Sequence, residues 1–177
     1  MLVNLSDVLT SEGKAVHISV PLEMTSFTSC MGRFLITEKN PVEFTFTNVG
    51  KDKAKIEGSV KLTFRTKCDR CLTEAPTSLT LQFDRTVTSP DVERSEDSEE
   101  DDDDMVYMEG YQLNVETFVY DEILQNWPMK ILCREDCKGI CPVCGKNRNE
   151  KDCGCDTFVP DPRMAAIQDI FNANKEV

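Results

Sequence analysis

Apolar and polar residues alternate with a period of two through much of the first half of this chain. Residues 15–21 (AVHISVP) alternate over the length of a strand. Residues 42–47 set Val42, Phe44 and Phe46 on one side and Glu43, Thr45 and Thr47 on the other. Asn48, Gly50 and Asp52 follow as turn residues for a reversal. Ile56, Val60, Leu62 and Phe64 mark a long return strand, and Leu79, Leu81 and Phe83 mark another. A strand with one apolar side buries that side and wets the other, so these runs predict an antiparallel meander. Residues 1–10, anchored by Leu2, Leu5, Val8 and Leu9, read as a short strand and a helical turn.

The period then changes. Val115, Phe118, Val119 and Ile123 recur at helical spacing, which predicts a helix over residues 114–126. Asn114 is its N-cap and Pro128 closes it. Asp161-Pro162, a cap followed by a first-turn proline, opens a last short helix. Met164, Ile167, Ile170 and Phe171 give that helix an apolar stripe to dock on the body. Residues 89–104 are too polar to bury anything and read as a disordered loop.

Charge sharpens this division. The chain of 177 residues carries a formal net charge of −12. Residues 91–104 (DVERSEDSEEDDDD) hold ten acids and one Arg, a net of −9, which leaves −3 for the rest. Such a molecule repels nucleic-acid phosphate at long range, so work near RNA requires a local basic face or a protein intermediary. No stretch reads as a secretory signal or membrane span. A cytoplasmic protein without membrane contact is expected, and in that reducing compartment thiols persist rather than disulfides.

Eight of the nine cysteines stand at metal-ligand spacings. Cys68 and Cys71 form one C-x-x-C pair, and Cys133, Cys137, Cys141, Cys144, Cys153 and Cys155 crowd into a segment too poor in apolar residues to fold without staples. Four thiolates make one closed tetrahedral zinc site, so eight make two, and a closed site offers no position to substrate. The C-P-x-C-G run from Cys141 to Gly145 has the form of a zinc-ribbon or rubredoxin knuckle, in which glycine permits the tight turn. One partition joins Cys141 and Cys144 to Cys153 and Cys155, leaving Cys68 and Cys71 for Cys133 and Cys137. The other joins Cys133, Cys137, Cys141 and Cys144, and brings Cys68 and Cys71 to Cys153 and Cys155. Spacing alone decides neither the partition nor zinc against iron. A disulfide framework is the rival reading, weakened by the odd cysteine count and the C-x-C spacing. Cys30 reads as a small buried hydrophobe.

The fold class is therefore α+β: an antiparallel β-rich half followed by a helix, a cysteine-rich zinc-ribbon-like segment and a short C-terminal helix. Three parts are expected. Residues 1–89 form a β-rich domain with a C-x-x-C knuckle, and residues 90–106 an acidic disordered loop. Residues 107–177 form a helix plus a zinc-ribbon-like module packing on the β-rich half.

Lys67, Arg70, Lys130, Arg134, Lys138, Lys146, Arg148 and Lys151 flank the cysteines. They compensate anionic metal centres, or else Arg70, Lys138 and Arg148 present a small basic face to phosphate. No catalytic residue stands out. The lone His17 lies on a strand without a nucleophile partner, and the acids concentrate in the loop rather than around a metal. A redox-sensing zinc-thiolate switch or holdase, and a metal-dependent RNA-processing enzyme, are the alternatives. No small-molecule substrate is expected.

The motif order resembles the YceD family, described as large ribosomal RNA subunit accumulation proteins. The resemblance rests on Cys68-Asp69-Arg70-Cys71-Leu72 after a β-rich half, then an acidic middle, then Trp127-Pro128-Met129-Lys130. It continues through Leu132-Cys133, the run from Cys137 to Gly145, and Asp161-Pro162-Arg163-Met164. It implies a non-enzymatic part in the accumulation or processing of large-subunit ribosomal RNA, in bacteria and in plastids. The expected partners are ribosomal proteins or ribosome-assembly factors, with contact to the rRNA itself indirect.

Overall fold

A computed structural model describes residues 1–50, 53–89 and 107–156. The acidic run and the C-terminal helix expected from Met164, Ile167, Ile170 and Phe171 lie outside these residues. In chain order the elements are β1 (Leu2–Asn4), α1 (Ser6–Thr10), β2 (Ala15–Val20), β3 (Ser26–Ser29), β4 (Gly32–Lys39) and β5 (Val42–Gly50). Then come β6 (Lys53–Arg65), β7 (Thr77–Thr88), β8 (Met108–Glu109), β9 (Gln112–Asn114) and α2 (Val115–Asn126). The architecture is α+β, a mostly antiparallel sheet with two helices and with its cysteines clustered toward the C-terminal side.

Alternation made the strands, as expected. In β6, Ala54, Ile56, Val60, Leu62 and Phe64 are buried, while Lys53, Lys61 and Arg65 are exposed. Gly58 occupies the same inward row because nothing larger fits: a Cβ there would lie 2.0 Å from the Glu43 carbonyl and 2.7 Å from the Phe83 ring. The β6 strand is the axis of the main sheet. Along one edge it pairs with β7 from Lys53 to Phe64. Along the other it pairs first with β5 and then, from Leu62, with β4. The strands β4 and β5 thus act as one long strand interrupted at Asn40–Pro41, where proline has no N–H to give the ladder. The short strands β2 and β3 extend its far edge, paired with β5 and β4 respectively. A second, three-stranded sheet joins the chain's start to β9, with Leu2 opposite Asn114.

The helix α2 closes the core. Asn114 caps it, its side chain accepting from Thr117 N, and the chain turns extended at Trp127 before Pro128. Its Phe118 ring packs on Phe83, Tyr107 and Phe44, with centroids 4.9, 5.1 and 5.9 Å away. Glu122, which the apolar stripe did not anticipate, is buried and accepts from Arg85 Nε on β7 at 2.8 Å. Trp127 packs against Phe27, Phe34 and Phe64. One apolar cluster therefore takes in β-strand residues and α2 residues alike.

Two expectations are corrected. Asn48 is not a turn residue but a buried member of β5, and its Nδ2 donates to the Val8 and Leu9 carbonyls of α1. Those carbonyls, left without helical partners at the end of a one-turn helix, need a donor, and Asn48 supplies it. Cys30 is exposed rather than buried, because it sits in the turn between β3 and β4. Among the described residues no helix is long and apolar enough to cross a membrane.

Candidate metal centres

The tip of the β6–β7 hairpin carries the first pair of sulfurs. Past Arg65 the ladder narrows: Thr66 and Ala75 exchange backbone and side-chain bonds, and Lys67 bridges Glu74. Cys68 and Cys71 sit on the turn beyond. The chain leaving α2 is then stitched to this turn, with Asp69 N donating to the Ile131 carbonyl at 2.8 Å and Ile131 N donating to Asp69 Oδ2 at 2.6 Å. That reciprocal pair of hydrogen bonds sets Cys133 and Cys137 across from the hairpin tip. The sulfur of Cys68 comes to 3.7 Å from Cys137, and that of Cys71 to 3.5 Å from Cys133.

All four of these sulfurs lie within 4.8 Å of one another, and so do those of Cys141, Cys144, Cys153 and Cys155. The molecule thus assembles the first of the two partitions open to the sequence. A tetrahedron with metal–sulfur bonds of about 2.3 Å has edges of about 3.8 Å. The observed separations fit it, and none approaches the roughly 2.05 Å of a disulfide. Each group could hold a metal ion, and the all-sulfur donor set suits a soft divalent cation.

The two knuckles are copies of one turn. In the first, Leu72 N donates to the Cys68 carbonyl at 2.9 Å and Cys68 N to the Thr73 carbonyl at 2.8 Å. In the second, Gly145 N donates to the Cys141 carbonyl and Cys141 N to the Lys146 carbonyl, both at 2.8 Å. The flanking bridges, Lys67 with Glu74 and Ile140 with Asn147, correspond as well. The residue after the second cysteine is left-handed in both, at φ +63° for Leu72 and +71° for Gly145. Gly145 suits that conformation; Leu72 does not.

The two centres are also joined. The Arg70 carbonyl accepts from Ile140 N at 3.1 Å, and its guanidinium donates to the Cys137 carbonyl at 2.9 Å. Asn149, from the loop of the second centre, donates through Nδ2 to Cys137 Sγ at 3.2 Å. Its Oδ1 accepts from Lys138 N and from Arg134. Sequence reading missed Asn149 and also Thr73, whose hydroxyl lies 2.9 Å from Cys71 Sγ. Single polar residues in a loop carry no periodic or spacing signal. Of the three residues proposed for phosphate, Arg70 spends its guanidinium on the Cys137 carbonyl, whereas among the described residues Lys138 and Arg148 are tied only through their backbones.

The thiols are unequally acidic. Burial pushes Cys68 up, but backbone N–H groups of Cys133, Cys71 and Arg70 outweigh it and bring it to about 6. The Thr73 hydroxyl and N–H lower Cys71. Loss of water around its sulfur, then the thiols of Cys71, Cys137 and Cys68, push Cys133 up to about 12. In the second group the N–H groups of Cys144 and Val143 bring Cys141 to about 6, while the Cys144 and Cys153 sulfurs push Cys155 up to about 12. Each group thus sets a thiol biased toward the thiolate beside one biased toward keeping its proton, which a bound cation would have to displace.

The family of large ribosomal RNA subunit accumulation protein YceD matches this chain over residues 56–171, from within β6 onward. The chain belongs to that family, whose name ties it to the accumulation of large-subunit ribosomal RNA. No curated protein and no solved structure matches the chain.

Proposed function

We propose that this family member is a non-enzymatic protein, stapled by two zinc ions, that supports accumulation and processing of large-subunit ribosomal RNA in the cytoplasm. Its partners on this reading are ribosomal proteins or ribosome-assembly factors, and it touches the rRNA only indirectly. The family match over residues 56–171 carries the proposal. The two groups of four sulfurs support its zinc content, since each is the size of a closed tetrahedral site. They support a non-catalytic role for the same reason, because four protein ligands leave no place for a substrate or activated water. His17 adds no chemistry: its ring bonds Thr45 Oγ1 and pairs with Glu43 on the exposed side of β2. The net charge of −12 favours protein contacts over direct rRNA binding.

Depleting the protein from its host should lower large-subunit rRNA relative to small-subunit rRNA. Wild-type protein should restore the ratio and a Cys71→Ser, Cys144→Ser double variant should not. Affinity capture from the same cells should return ribosomal proteins or assembly factors, with two zinc ions per chain. An unchanged rRNA ratio on depletion, or cleavage of precursor rRNA by the pure metal-loaded protein, would overturn this reading. Replacing Arg70, Lys138 and Arg148 together with Ala tests the phosphate face, and unaltered RNA retention at low salt would dispose of it.

A further inference from the structure

A groove of about 430 Å³ lies beside the first centre, away from its sulfurs. The β3–β4 hairpin, the end of β6 and the Trp127–Ile131 strap form its walls. Part of its apolar surface is open to solvent. Met129 on the strap is fully exposed, and Met31 and Leu35 across the groove are 58% and 46% exposed. Single exposed apolar residues are ordinary, but several converging on one concavity with a Trp at its base mark a binding surface. Methionine suits such a surface because its unbranched, polarisable chain repacks around differing anchors.

Three cations rim the same groove: Arg33, Arg65 and Lys67. Among the described residues none has a carboxylate within ion-pair distance, and Arg33 bonds only Ser26 Oγ. Two acids also line the groove. Asp69 is occupied by Ile131 N, and Glu74 stands opposite Lys67 in the backbone bridge without forming an ion pair. On a protein of net charge −12, three uncommitted cations around an apolar floor are a local reversal of sign.

We propose that this groove binds a short protein segment with one or two apolar anchor side chains flanked by aspartate or glutamate. The anchors lodge among Met31, Leu35, Trp127 and Met129, and the flanking carboxylates pair with Arg33, Arg65 and Lys67. The volume suits a few side chains rather than a folded surface. A nucleic-acid strand fits less well. Base stacking needs free aromatic faces, and the Trp127 ring is already packed against Phe34, Phe64 and Phe27 at centroid distances of 4.7, 5.0 and 5.1 Å. The open groups are thioethers and Leu35, which grip aliphatic side chains.

The test uses full-length zinc-loaded protein and an array of immobilised 12-residue peptides. Each peptide carries a central Leu-x-x-Leu, Leu-x-x-Phe or Met-x-x-Leu flanked by zero to six acids, with matched peptides bearing lysine in place of every acid. A 12-nucleotide single-stranded RNA completes the set. Retention should rise with acid number and exceed the lysine controls by about tenfold. Met129→Ser, and separately Arg65→Gln with Lys67→Gln, should each weaken it by about tenfold. All these residues are exposed, so zinc content and melting temperature should stay at wild-type values. The proposal is overturned by equal retention of acidic and lysine peptides, by absence of retention, or by variants that bind as wild type does. RNA retention lost in the same variants would assign the groove to nucleic acid and overturn it too. None of these results depends on the rRNA role, which depletion tests separately.

Discussion

Leu72 holds a left-handed backbone, φ +63°, at the place where the matching knuckle has Gly145 at +71°. A side chain in that region costs about 1–2 kcal/mol. Replacing Leu72 with Gly removes that strain and adds about 0.5–1 kcal/mol of unfolded-state entropy to be lost on folding. The leucine side chain is 60% exposed, so little packing is forfeited. Leu72→Gly should therefore stabilise the protein by about 0.5–1 kcal/mol. Gly145→Leu should destabilise it by a similar amount, since a Cβ there meets nothing within 4 Å and only the backbone cost remains. With a urea slope of about 2 kcal/mol per molar, the midpoints should move by about 0.3–0.5 M in opposite directions. Urea titration at one fixed, buffered free-metal concentration reads both. A Leu72→Gly protein no more stable than wild type would refute the equivalence of the two turns, because relief of strain could not then be the difference between them.

Asn149→Ala removes the donor to Cys137 Sγ and should weaken metal binding at the first centre by about tenfold or more, read by chelator competition with the second centre as internal reference. Gly58→Ala forces a methyl group into the Glu43 carbonyl and should cost about 3 kcal/mol, measured as a drop in thermal or urea midpoint. Metal affinity should fall with falling pH. Near neutrality Cys133 and Cys155, at about 12, hold protons that the metal must displace, so binding weakens by at least about tenfold per pH unit at each centre. Below about 6, Cys68 and Cys141 also take up protons and the slope steepens by about a further tenfold per unit. Calorimetry in two buffers of different ionisation enthalpy counts those protons, and an affinity independent of pH would contradict the assignment.

Much of the fold is legible in the linear chain. The inward row of β6, the Asn114 cap, the stop at Pro128 and the C-P-x-C-G knuckle are properties of a few adjacent residues. Backbone period, capping and turn geometry act within one or two turns of chain, so a linear reading reaches them. The β3–β4 hairpin escapes that reading because β4 is mostly exposed on both sides and alternates weakly. Glu122 escapes it because its burial depends on Arg85, a residue of another element.

The sequence by itself determined which residues could be ligands, which stretches alternate, and that sulfur must do the work of a core in a segment too polar to have one. Only the tertiary structure decided that Cys68 and Cys71 meet Cys133 and Cys137, that Asn48 leaves the turn for the core, and that Cys30 faces solvent. Both ligand partitions satisfy the same local spacing, and they differ in which distant segments must be brought together. That choice was settled by the closing of α2 over the sheet, which carries its trailing chain to Asp69 and sets Cys133 and Cys137 against the hairpin tip.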